Sequence, residues 1–103
     1  MPVREPRFIE VDPRTLRLPN SRRTGTDPYK LQRQIARFGT SISGMPPVWV
    51  TRGKDGVLRI DDGVTRATRI AKLSPGTLIP VKVVDELLSV DFTVLPTIEK
   101  MLP

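Results

Sequence analysis

Apolar residues in this chain follow two spacings, and each predicts a different element. Between Asp27 and Gly39, Leu31, Ile35 and Phe38 recur at i, i+4 and i+7, the spacing of one helix face, while Lys30, Arg33 and Arg37 fall on other faces. Asp27 is a good N-cap, Pro28 suits the first helical position and Gly39 ends the pattern. A second helix is predicted from the Asp62-Gly63 turn through about Leu73, with Val64, Ala67, Ile70 and Ala71 facing inward together. Short β-branched and aromatic runs at residues 8–11, 48–51, 57–60 and 80–84 predict strands. The second and third are joined through Gly53-Lys54-Asp55-Gly56 as a hairpin. Trp49, between Val48 and Val50, is expected to pack in the core, with base stacking from an exposed position as the minority alternative.

Between these elements the chain is irregular. Residues 1–10 begin basic and proline-broken, with Arg4 and Arg7, and Asp12-Pro13 marks a turn. Leu16 and Leu18 flank Arg17 as an extended connector with one buried face. Residues 19–26 read as a polar loop containing Arg22 and Arg23, and residues 40–47 as a loop rich in Ser, Gly and Pro. The expected architecture is α+β, a small mixed sheet with two main helices. It forms a single domain over residues 1–103 with its core at about 9–85. Residues 86–103, apolar from Phe92 onward, form a C-terminal docking tail or an interface for a protein partner.

Composition narrows the chemistry. The chain has 103 residues, no Cys and no His, which removes thiolate nucleophiles, disulfides and the usual zinc ligands. Catalysis would have to run on carboxylates, Lys, Arg, hydroxyls or an oxygen-bound metal such as magnesium. The formal net charge is +6, and Arg outnumbers Lys. The planar guanidinium fork suits phosphate and carboxylate partners. No apolar run is long enough to span a membrane, and the start of the chain has no apolar signal core, so the expected location is cytoplasmic with no membrane partner.

The densest chemistry lies at Ile60-Asp61-Asp62-Gly63-Val64-Thr65-Arg66-Ala67-Thr68-Arg69. A strand turning through Asp-Gly into a helix points unpaired N–H groups and the positive end of the helix dipole out of the turn. A phosphate can sit there, with Gly63, Thr65 and Arg66 completing the cradle. The plainer alternative is that Asp62 caps the helix and Arg66 pairs with Asp61 or Asp62 at the surface. If the site is catalytic, Arg66 would stabilise developing charge and Asp61 or Asp62 would orient water or hold a metal, with Asp61 the candidate magnesium ligand. Arg22 and Arg23 are further phosphate-site candidates. Arg33, Arg37 and Arg69 are candidates for contact with a nucleic-acid backbone.

The succession of these elements resembles the N-terminal domain of the ParB-like superfamily, whose fold is shared with sulfiredoxin. The residues that carry the resemblance are the segment before Asp12-Pro13, the helix with Leu31-Gln32-Arg33-Gln34-Ile35 ending at Gly39, Pro47-Val48-Trp49-Val50, a hairpin with Gly56, Ile60-Asp61-Asp62-Gly63-Val64-Thr65-Arg66, and Ile79-Pro80-Val81-Lys82-Val83-Val84. In partitioning members a Gly-Glu-Arg-Arg box at this turn binds the triphosphate of CTP. Gly63 and Arg66 match that box, while Val64 and Thr65 replace its Glu and first Arg. Sulfiredoxin has a Cys in the corresponding box, and with no Cys here sulfinic acid repair is not expected. The similarity is therefore to short stand-alone or toxin-type members, some of them labelled nucleases. The helix-turn-helix and dimerisation domains of partitioning proteins would have to follow Pro103.

The resemblance implies a nucleotide- or phosphate-binding domain, with cleavage of phosphoester or phosphoanhydride bonds as the reaction if there is one. The alternatives are a non-catalytic DNA- or RNA-binding module, and a protein-interaction or toxin-associated domain.

Overall fold

A computed structural model describes residues 7–103; the basic start with Arg4 lies outside the described residues. The elements follow as β1 (Arg7–Val11), α1 (Pro28–Phe38), β2 (Val48–Arg52), β3 (Leu58–Asp62), α2 (Val64–Leu73) and β4 (Ile79–Glu86). The four strands form one sheet in the order β1-β4-β2-β3. β1 and β4 pair antiparallel, as do β2 and β3, whereas β2 and β4 run parallel. That parallel pair requires a crossover, which α2 provides. The expected α+β class, with a mixed sheet and two helices, is the class observed.

One face of the sheet is the core. Val48, Val50, Ile60, Ile79, Val81 and Val83 pack against Ala67, Ile70 and Ala71 of α2. Alternation along β2 that sends Val48 and Val50 inward sends Trp49 outward, and it is 45% exposed rather than in the core. Lys82 Nζ stands 5.1 Å from its ring centroid. The sequence expectation failed here because a residue flanked by two buried valines must take the opposite face.

α1 begins where its cap predicts. Asp27 Oδ1 accepts from the N–H groups of Tyr29 at 2.8 Å and Lys30 at 3.4 Å. Gly39, at φ 54°, donates its N–H to Ile35 O and closes the helix. The apolar stripe is shallower than its spacing suggests, because Leu31 alone is buried and Phe38 is exposed. The Phe38 ring instead lies near two guanidinium groups, those of Arg37 and Arg69.

Beyond β3 the sheet is continued by irregular chain. The Arg17 N–H donates to Leu58 O and its carbonyl accepts from Ile60 N–H, both at 2.9 Å. On the other side, Leu18 N–H donates to Pro96 O and Ile98 N–H to Leu16 O. Leu16, Leu18 and Ile98 are all buried. The tail is pinned further by the Phe92 ring, which lies under the Arg59 guanidinium at 4.7 Å. Among the described residues no helix is long and apolar enough to cross a membrane.

Because Ile98 is 1% exposed and joins the main core, Ile98→Ala should lower the unfolding free energy by about 2–5 kcal/mol in denaturant titration. An unchanged midpoint would mean that the tail adds nothing to the folded core.

Candidate functional site

The turn between β3 and α2 consists of one residue, Gly63, held at φ 107° and ψ 23°. A Cβ at this position would stand 2.9 Å from Arg66 Nη2 and 3.1 Å from Val48 Cγ2. Glycine is therefore needed for its backbone angle and for the space above it. Arg66 lies across the gap, donating through Nη2 to Pro47 O at 3.2 Å and to Asp62 Oδ2 at 3.4 Å. Its Nε is buried without a protein partner. No side chain caps α2 at Gly63, so the first-turn amides lack the satisfaction that Asp27 gives α1. Thr65 Oγ1 lies 2.9 Å from Thr26 Oγ1, which ties the start of α2 to the residue before the cap of α1.

In front of this turn opens a cleft of about 650 Å³. Gly63, Val64, Thr65 and Arg66 form one wall. Lys30, Arg33, Gln34 and Arg37 form another, and Arg22 comes in from the loop after Leu18. Positions 30, 33, 34 and 37 share one face of α1, so its cations line a concave surface rather than a flat one.

The two carboxylates at the mouth have different partners. Asp61 Oδ2 accepts from Thr51 Oγ1 at 2.6 Å, and Oδ1 from Arg59 Nη2 at 2.8 Å. Both of its oxygens are thus engaged on the sheet side. Asp62 pairs with Arg66 one turn along and is otherwise largely exposed. The pairing of β2 with β3 shifts register between Trp49 and Val50, so Trp49 faces Asp62 while Val50 faces Ile60. Asp61 is the extra residue of a bulge, and both acids line the same cleft. Among the described residues no three His, Cys, Asp or Glu side chains gather as a metal centre.

Two expected site residues lie elsewhere. Arg23 lines a neighbouring depression with Arg59 and Asp91, and its Nη1 donates to Asn20 Oδ1. Arg69 is 1% exposed and does not extend a basic surface stripe. Its Nη1 donates to Gly39 O at 2.7 Å and Ser41 O at 2.8 Å, holding the loop that leaves α1. Burial pulls its guanidinium below the ordinary value, and arginine stays charged all the same. Counting three residues from Arg66 gave the wrong face, because Arg69 sits among Ala67, Thr68, Ile70 and Ala71, all buried.

Gln34 was not among the expected residues. Its Oε1 is buried and without a partner, and the residue lines the same cleft as Arg66. The signal for it was its position on the helical face shared by Lys30 and Arg37.

No protein-family model matches the sequence, and no curated protein matches it.

Arg69→Ala should cost roughly 3 kcal/mol of stability in thermal or chemical melts, since it strips a charged donor from two loop carbonyls. A surface role for Arg69 would instead leave the melting temperature unchanged.

Proposed function

We propose that the cleft binds the phosphate of a nucleotide or nucleic acid, and that the chain is a ParB-like binding domain. The observation that carries this reading is the gathering of Arg22, Lys30, Arg33, Arg37 and Arg66 around the uncapped start of α2. Amides at a helix N-terminus and guanidinium forks both favour phosphate oxygens. The order of strands and helices, together with Gly63 and Arg66 at the turn, is consistent with the ParB-like resemblance.

Binding is favoured here over hydrolysis because Asp61 has both oxygens committed to Thr51 and Arg59. Magnesium, on this reading, arrives with the ligand's phosphates and meets the protein through Asp62, whose carboxylate is the more accessible.

The test is a melting series with inorganic phosphate, CTP, ATP and GTP, with and without magnesium. At about a hundredfold above the dissociation constant, a ligand should add ~2.7 kcal/mol and raise the melting temperature by roughly 10–20 °C. Arg66→Ala should abolish the rise, and Arg33→Glu with Arg37→Glu should reduce it steeply. Absence of any rise in the unaltered protein, with every ligand, would defeat the reading for nucleotides.

A further inference from the structure

The outer face of the sheet presents a feature that phosphate binding does not use. Register places Phe8, Lys82, Trp49 and Asp62 in one row, one residue from each strand in the order β1, β4, β2, β3. Phe8 is 64% exposed and Trp49 45%, although Val48 and Val50, which flank Trp49 on the inner face, are fully buried. Lys82 stands between the rings, its Nζ 5.8 Å from the Phe8 centroid and 5.1 Å from that of Trp49. The row ends at Asp62, which lines the cationic cleft beside Gly63. Neighbouring strands lie about 4.8 Å apart, so Trp49 is one strand from the rim of the cleft and Phe8 three. On the other side of the rim, Lys30, Arg33 and Arg37 extend along about 10 Å of α1.

We propose that this row is a base-stacking platform, and that the ligand is a single-stranded nucleic acid. Its backbone enters along the cations of α1 and crosses the rim onto the sheet, where its bases stack on Trp49 and then Phe8 and its phosphates pass Lys82. The proposal rests on the reading of the cleft as a phosphate site and names the class of ligand it takes. Aromatic faces accept any base, and a lysine between them meets the backbone charge. The cationic wall and the aromatic row together outreach a mononucleotide, and a duplex keeps its bases stacked on one another. A second copy of the chain, or an apolar protein surface, would instead have to bury Lys82 between the two rings, at a desolvation cost. The overall charge of +6 also favours a polyanion.

Trp49 is the only tryptophan, so its emission reports directly on the platform. The full chain would be titrated with a 12-nucleotide oligothymidine strand, a 12-base-pair duplex and inorganic phosphate, with binding followed by anisotropy of labelled strands, by tryptophan emission and, for phosphate, by melting shift. The single strand should quench the emission in a saturable way and bind more tightly than the duplex. Trp49→Ala should weaken strand binding roughly 5- to 150-fold. Phe8→Ala should weaken it in the same direction, and because Phe8 is well exposed this second variant keeps the test open if Trp49→Ala fails to fold.

Strand binding with unchanged emission, equal affinity for the duplex, or a dimer in sedimentation that shields Trp49 from acrylamide would each overturn the platform. Phosphate binding without strand binding would overturn this inference alone. If neither binds, the cleft reading falls and takes this one with it.

Discussion

A single residue separates the last carboxylate of β3 from the first turn of α2, and most of the molecule is arranged around how it turns. At φ 107° Gly63 takes a conformation that a side chain resists, and the missing Cβ is the space in which the Arg66 guanidinium settles. From there Arg66 reaches Pro47 O, at the entry to β2, and Asp62, at the exit of β3. The turn, the helix and the two strands of the β2–β3 hairpin are thereby joined through one side chain. The geometry that joins them also leaves the amides of α2 without a side-chain cap, facing the cations of α1. Stability and the proposed anion site thus draw on the same constraint.

The second constraint is the edge of the sheet. β3 would offer unpaired backbone to other chains, but residues 16–18 bond along it and the tail bonds along them in turn. This layering also has a consequence for the cleft. Once Leu18 is pinned, the chain must leave the edge beside the β3–α2 turn, which delivers Arg22 to the cleft and Arg23 to the depression next to it. The loop after α1 is held from the opposite side by Arg69. Irregular segments therefore sit where they do because main-chain hydrogen bonds and one buried cation hold them.

Much of this was legible in the residues. Asp27, Pro28 and Gly39 mark both ends of α1, and the hydrophobic spacing of Val64, Ala67, Ile70 and Ala71 gives the buried face of α2. These are local signals, set by caps and periodicity. The failures all depend on what lies across space. Trp49 and Phe38 are large and apolar, yet one faces outward by strand alternation and the other lies near cations. Arg69 reads as a surface cation until Gly39 and Ser41 bring their carbonyls to it. Two adjacent carboxylates on a regular strand would point to opposite faces, but the bulge at Asp61 sets that alternation aside. No count along the chain reveals a bulge, since it belongs to the pairing of two strands.

Charge bears last on what the cleft is for. Two acids stand beside five cations, but only Asp62 pairs with one of them. Asp61 is held by Arg59, which is not part of the cleft wall, and Asp62 steadies Arg66 in place. Among the described residues no carboxylate forms an ion pair with Lys30, Arg33 or Arg37. Like charges three and four apart on a helix destabilise it by about 0.2–0.5 kcal/mol per pair. Against that, the Asp27 cap contributes on the order of 1 kcal/mol, enough to hold the helix with its cations uncompensated. A phosphate chain laid along the same face would turn each repulsion into an attraction. A helix that retains this cost in the unbound protein, on its concave side rather than its outer one, is suited to an anionic ligand more than to solvent.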